Sequence, residues 1–321
     1  PALLWKRSYP GFGNECKEIM SDGLRQLAKA ITKIENLDFQ ALADAATLPL
    51  DYDSVHVIGV TGPPGGGKST LCNQLIKGLA VKHRVAALLV DPSSPFSGGA
   101  ILGDRIRMQA LVSNPNVYIR SLSNRGNAGG VASSLVSILR LLMRNGFQYI
   151  VIETVGAGQS EVKIASIADT TLVVSVPNLG DDIQAFKSGI LEIADILVIN
   201  KADLPGADSL YSALRESAQK QRLGWTPPLC QTVATEGLGI SALLEEIHRH
   251  GHWLRQEGRL LEKRKRAAKF EVLELSRMLL QKHLDSVPAE VLARNLNRRG
   301  INLLQKLDKI YDELLNTFSE V

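Results

Sequence analysis

Lys68 and Ser69 close a run, Gly62-Pro63-Pro64-Gly65-Gly66-Gly67-Lys68-Ser69-Thr70, that fits G-x-x-x-x-G-K-[ST] at every fixed position. Such a loop curls so that successive N–H groups point at one anion, and the helix that follows adds its positive end. Lys68 is placed to reach β- and γ-phosphates, and the Ser69 hydroxyl to ligate Mg²⁺. The run therefore predicts a nucleoside triphosphate site. Asn200-Lys201-Ala202-Asp203 names the base. An Asp carboxylate can accept from both the N1–H and the 2-amino group of guanine, and adenine offers neither donor there. The Lys201 stem can lie along the base, and Asn200 can tie its loop back to the phosphate loop. Farther on, Thr232-Val233-Ala234-Thr235 stands where GTPases carry a Ser-Ala pair whose backbone meets guanine O6. Val233 replaces the serine, leaving the Ala234 amide to serve. GTP, with GDP as its product, is the expected nucleotide.

Two apolar runs end in acids that can approach the metal. Glu153 follows Tyr149-Ile150-Val151-Ile152 and is the residue expected to hold Mg²⁺ through water. Asp91 ends Val85–Val90, and Asp104 in the following Pro/Gly-rich loop is a further carboxylate; capping a turn or helix is the alternative role for each. Gly156 lies where a backbone N–H can meet the γ-phosphate. Ala157 comes next, not the glutamine that orients water in Ras-like enzymes, and Gln159 stands two residues on. Slow hydrolysis, stimulated by a partner, is the expectation, with Lys68, Asp91, Glu153 and Gly156 as the catalytic set. The charged loop Pro177–Lys187 is either a solvated connection or a third switch for a partner.

These residues need a scaffold that brings strand ends together. Seven apolar runs, Val55–Val60, Val85–Val90, Val117–Arg120, Tyr149–Glu153, Leu172–Val176, Ile196–Asn200 and Leu229–Val233, alternate with segments long enough for crossover helices. Most are continuous in Val, Ile and Leu, as strands covered on both faces are. A doubly wound α/β fold with a mostly parallel sheet follows, with ligands at the carboxyl ends of its strands. The expected organisation is a helical extension over 1–53, the nucleotide domain over 54–252 and a C-terminal helical region over 253–321. In the first, Ser21-Asp22 can cap a helix carrying Leu24, Leu27, Ile31 and Ile34, and Asp38 can cap a second that ends before Pro49. In the last, Leu304, Leu307, Tyr311, Leu314 and Phe318 step as a two-heptad seam, suited to dimerisation or to intramolecular packing.

Other features are read as silent. Cys16, Cys72 and Cys230 are odd in number and far apart, which fits a reducing, cytoplasmic setting. No apolar run is long enough to span a bilayer, and the N-terminal residues lack a secretory core. His248-Arg249-His250-Gly251-His252 resembles a metal tract, but Gly251 is expected to break the helix, and no Cys or carboxylate is at ligand spacing. The basic stretch Arg255–Lys269 lacks interleaved aromatics and reads as a solvated face, not a nucleic-acid or membrane surface.

Together with the phosphate loop and Asn200-Lys201-Ala202-Asp203, four further stretches carry a resemblance. They are Asp91-Pro92-Ser93-Ser94, Gly98-Gly99-Ala100-Ile101-Leu102-Gly103-Asp104-Arg105, Glu153-Thr154-Val155-Gly156-Ala157-Gly158-Gln159-Ser160-Glu161 and Gly180-Asp181-Asp182-Ile183-Gln184. The sequence resembles the MeaB/MMAA/ArgK group of P-loop GTPases, chaperones of adenosylcobalamin-dependent acyl-CoA mutases such as methylmalonyl-CoA mutase. The resemblance implies a homodimer built through the C-terminal arm, and Asp91, Asp104 and Glu153 gathered around Mg²⁺. It also implies a switch over 177–187 that contacts the mutase through Asp182, Gln184 and Lys187, and GTP hydrolysis that gates cofactor loading or protection. Gly66 stands where that group has a small or branched residue, and Ala185-Phe186-Lys187-Ser188 where Gly-Ile-Lys-Lys is common. These departures bear on the partner, not on the nucleotide chemistry. The competing expectation is a metal-insertion GTPase of the nickel, zinc or cobalt class, for which no Cys-x-Cys-Cys or Cys-Pro-His stretch is present.

Overall fold

The computed structural model describes residues 14–50, 53–91, 109–123, 130–154, 159–177, 190–218 and 224–286. Two helices come first, α1 (Asn14–Glu35) and α2 (Phe39–Ala46). Then follow β1 (His56–Thr61), α3 (Lys68–Leu79), β2 (Val85–Asp91), the single turn α4 (Gln109–Val112), β3 (Val117–Ser123) and α5 (Gly130–Arg144). The second half holds β4 (Tyr149–Thr154), α6 (Gln159–Ile167), β5 (Thr170–Ser175), a 3₁₀ turn (Ile190–Ile193) and β6 (Ile196–Asn200). It closes with α7 (Ala207–Ala218), β7 (Leu229–Thr232), α8 (Ile240–Gln256) and α9 (Arg259–Ser286).

All seven expected strands are present, each within two or three residues of its expected bounds, and every pairing is parallel. The order β3-β2-β4-β1-β5-β6-β7 reverses direction around β1. The loop after β1 therefore opens at the switch point, where a crevice forms outside the strand ends. Burial on both faces explains the continuous apolar runs: every residue of β1, β5 and β6 is buried. On one face Leu71, Leu75 and Ile76 of α3 and Leu243 and Ile247 of α8 join Ile58, Val60, Val151, Leu172 and Val198 in one cluster. Helices α5 and α6 pack together, and α6 also packs on β1.

The chain divides into Pro1–Glu274 and Leu275–Val321. Of the second unit the described residues continue α9; the seam over 304–318 lies outside them. Both N-terminal helices pack on α5, burying Leu27, Ile31, Ile34, Leu42 and Ala45. Asp38 caps α2 as expected, accepting from the Ala41 N–H at 2.9 Å. The expected cap at Ser21-Asp22 is corrected: α1 already runs from Asn14, so both residues lie inside it. Glu18, Ile19 and Met20 upstream are competent helix formers, and cap propensity is a weak preference that a continuing helix overrides.

Two further expectations are overturned at the amino ends of the strands. Helix α8 runs unbroken through Gly251, and glycine is required there because the His56 ring occupies the space a Cβ would need. That glycine serves a close approach, not a helix stop. His250 is buried while His248 and His252 are exposed, so the three histidines do not converge. His56 Nε2 and His250 Nδ1 instead meet the Thr170 hydroxyl at 2.6 and 2.7 Å. Nor is the basic stretch uniformly solvated. Arg264, 1% exposed, donates to Asp169 Oδ2 at 2.6 Å, and Lys263 to Asp195 Oδ2 at 2.7 Å. Arg140 and Ser137 of α5 reach Glu271, and Lys163 of α6 reaches Glu274. The first half of α9 is thereby keyed onto the domain.

Burial, joined by neighbouring cations, holds both imidazoles neutral: His56 is pushed well below its ordinary range, and His250 is lowered to about 4. His250 Nε2 lies 3.5 Å from Asp195 Oδ1, near enough to count as an ion pair, yet a neutral ring carries no charge into it. For a depressed histidine pKa the unfolded chain binds more protons than the folded one. Stability is therefore complete above about pH 6.5 and falls as pH drops toward 4, by up to about 1.4 kcal/mol per unit for each ring. Asp169, raised by burial against the pull of Arg264, acts in the opposite sense. Urea midpoints are accordingly expected to drop between pH 7.5 and 5.5, and His250→Gln to flatten that slope. An unchanged slope in the variant would contradict the assignment.

Candidate nucleotide site

The phosphate loop joins the carboxyl end of β1 to the first turn of α3. Its turn depends on glycine at two points in particular. Gly62 has φ 141°, and a side chain there would run into the Val174 carbonyl of β5. Gly67, the N-cap of α3, has φ 79°, and a Cβ would collide with the Asn200 amide. Gly66 differs: it needs no left-handed backbone, and a Cβ would stand 3.1 Å from the Pro63 carbonyl. Little added freedom is used at this position. Lys68 is buried, and its Nζ donates to the Gly62 and Pro63 carbonyls at 2.8 Å each. The loop thus curls around an ammonium at the amino end of a 12-residue helix, a place suited to phosphate oxygens.

One turn of α3 and the end of β4 meet beside it. Ser69 Oγ donates to Glu153 Oε1 at 2.6 Å, and Glu153 is only 6% exposed. A hydroxyl and a carboxylate held together, with the phosphate loop alongside, are a donor set that fits a hard divalent cation. Asp91 is the last residue of β2, which pairs with β4, so its backbone ends at the same edge of the sheet. Pro64 and Gly65 are exposed and Thr70 is half-buried. Asp104, Gly156, Asp182, Gln184 and Lys187 lie outside the described residues.

At the ends of β6 and β7 the base-reading residues are tied together through Asn200. Its Nδ2 donates to the Gly66 carbonyl at 3.0 Å, while its Oδ1 accepts from the Thr232 hydroxyl at 3.1 Å and the Ala234 N–H at 3.2 Å. The Ala202 N–H reaches the Thr232 carbonyl at 3.1 Å. Lys201 adopts φ 56°, a left-handed backbone that costs a non-glycine residue about 1 kcal/mol or more. A Cβ placed on Gly67 would lie 3.9 Å from Lys201 Cε, so the Lys201 stem runs over the phosphate loop. Asp203 is exposed at the end of that turn. Val233, where a serine hydroxyl was expected to be missing, pairs with Leu238 in a two-residue bridge that closes the turn holding Thr235. Backbone bonds replace the side-chain support.

What the sequence reading missed is Gln74. It projects from the second turn of α3 and donates to the Ala234 carbonyl at 3.0 Å. With 160 residues between them, nothing in local pattern could have paired the two. Among the described residues no group of three His, Cys, Asp or Glu is disposed to hold a metal by itself, and no helix is long and apolar enough to cross a membrane.

The chain is similar to several known proteins. A family model described as methylmalonyl-CoA mutase-associated GTPase MeaB matches residues 27–289. A protein of Pyrococcus horikoshii that carries the name of a GTPase is 41% identical over 272 residues, covering 83% of this chain and 86% of that one. The mitochondrial methylmalonic aciduria type A homolog of Mus musculus is 34% identical over 242 residues, 72% of this chain and 58% of its own. GTPase ArgK of Escherichia coli is 33% identical over 251 residues, 74% and 75% of the two chains. Among solved structures, one titled LAO/AO transport system kinase superposes with a TM-score of 0.55 at 24% identity over 90% of this chain and 93% of that one, a likeness of fold.

Proposed function

The chain belongs to the MeaB family of GTPases, and on that premise we propose that it is a chaperone that uses GTP to gate the loading or protection of adenosylcobalamin on an acyl-CoA mutase. The observation that carries the partner class is the family match, which spans the phosphate loop, the base-reading loop and all of α9.

The loop amides and the amino end of α3 receive the phosphates, and Lys68 leaves the Gly62 and Pro63 carbonyls for the β- and γ-oxygens. Ser69 would hold Mg²⁺ with Glu153 behind it and Asp91 at the neighbouring strand end. When bound, the ion neutralises charge on the transferring phosphoryl group. Catalysis on this reading is positional and electrostatic, without a covalent intermediate. Asp203, with Lys201 along the base, selects guanine. Asp182, Gln184 and Lys187 of the segment 177–187 are assigned to mutase contact by the family resemblance alone.

Calorimetry against purified adenosylcobalamin-dependent acyl-CoA mutases, with GDP and with a non-hydrolysable GTP analogue, tests the reading. Binding that depends on the nucleotide, and faster phosphate release in the presence of the mutase, is the expected result. Absence of both with every mutase tried would sink the mutase role while leaving the GTPase intact.

A further inference from the structure

Gln74 completes a circuit. From Gly66 in the phosphate loop it runs through Asn200 to the Ala234 N–H, and from the Ala234 carbonyl through Gln74 back into α3, the helix that the loop begins. The two halves of the Ala234 contact have different consequences. Asn200 takes the N–H of Ala234, so the amide expected from the sequence to meet guanine O6 is already engaged and does not face the base. Gln74 takes the carbonyl, and in a trans peptide the N–H of the next residue points opposite to that carbonyl. Pinning the Ala234 oxygen against α3 therefore aims the Thr235 N–H away from the helix. Among the described residues none accepts a hydrogen bond from the Thr235 N–H, and Thr235 is exposed in the turn that follows β7, beside the loop of Asn200, Lys201 and Asp203.

We infer that Gln74 is a positioning residue for base recognition: by fixing the 234–235 peptide it presents the Thr235 N–H to the 6-oxo group of guanine. The inference rests on Asp203 and its neighbours being the base site. It divides the labour chemically. Asp203 reads the hydrogen donors at positions 1 and 2 of the base, and the Gln74-supported peptide reads the acceptor at position 6.

Dissociation constants of three diphosphates separate these roles. GDP carries all the groups, inosine diphosphate keeps the 6-oxo group without the 2-amino group, and 2-aminopurine riboside diphosphate lacks the 6-oxo group. Gln74→Leu removes the donor, and Gln74→Glu removes it while preserving shape. Both are expected to weaken GDP and inosine diphosphate alike by about tenfold, the scale of one lost hydrogen bond, with the ratio between the two unchanged. Binding of the 2-aminopurine nucleotide should change by less than about twofold. Equal weakening of all three ligands would reduce Gln74 to a structural support of α3 and overturn the inference, as would wild-type affinity in Gln74→Glu. A wild-type protein that does not distinguish GDP from inosine diphosphate would instead remove the base assignment beneath it.

Discussion

Lys68→Ala is expected to weaken a non-hydrolysable GTP analogue by roughly a thousandfold, while the variant without nucleotide unfolds near the wild-type temperature. The two hydrogen bonds of the Lys68 ammonium, to Gly62 and Pro63, are to carbonyls of the very loop whose amides must face the phosphates. The side chain is buried, so its charge acts in a poorly screened environment. Exchanging two neutral carbonyls for two phosphate oxygens yields charge-assisted bonds worth about 2 kcal/mol each, together about 4 kcal/mol, or a factor of roughly a thousand in affinity. Removing a buried cation leaves no charge to desolvate in its place, so folding should suffer far less than binding. Fluorescence titration with the analogue, set beside thermal unfolding of the ligand-free protein, separates the two effects. A loss below tenfold would mean that the ammonium does not reach the phosphates.

Much of this site was legible because its parts are local. The phosphate loop needs consecutive residues, and glycine at 62 and 67 is demanded by backbone angles that sequence alone suggests. The base-reading run is likewise four contiguous residues, and the strands announce themselves as β-branched runs buried on both faces. Illegible features depend on partners distant in sequence. Gln74 is one more polar residue on a helix until Ala234 arrives beside it. Gly251 looks like a helix stop until the His56 ring claims the space over it. In the run Lys263–Arg266 the charges are alike, and only the tertiary fold decides that Lys263 and Arg264 turn inward while Lys265 and Arg266 stay exposed. Helical periodicity could have raised the question, since 260, 264, 267 and 271 share a face and all are buried. A guanidinium on that face was read as solvated because a buried arginine is rare unless paired. Its partner, Asp169, is 95 residues away.

That pair supports the second large effect. Arg264→Met is expected to destabilise the protein by about 3–5 kcal/mol, the range for removing one member of a buried ion pair. Asp169 is 1% exposed, and its Oδ2 accepts from Arg264 at 2.6 Å and from the Val57 N–H at 2.8 Å. Burial already pushes its carboxyl up, and Arg264 is the strongest influence opposing that shift. Without the guanidinium the folded state must either keep an uncompensated carboxylate or take up a proton, and both lower stability at neutral pH. Asp169→Asn keeps an acceptor for Val57 and removes the charge, so the double variant Arg264→Met with Asp169→Asn should recover more than half of the loss. The sign of that coupling distinguishes charge from packing: a methionine that merely fits badly would cost the same with either residue at 169. Urea unfolding of the wild type, both single variants and the double variant supplies the cycle. Additive losses would show that Asp169 and Arg264 do not act as a pair and that α9 is held by its other contacts.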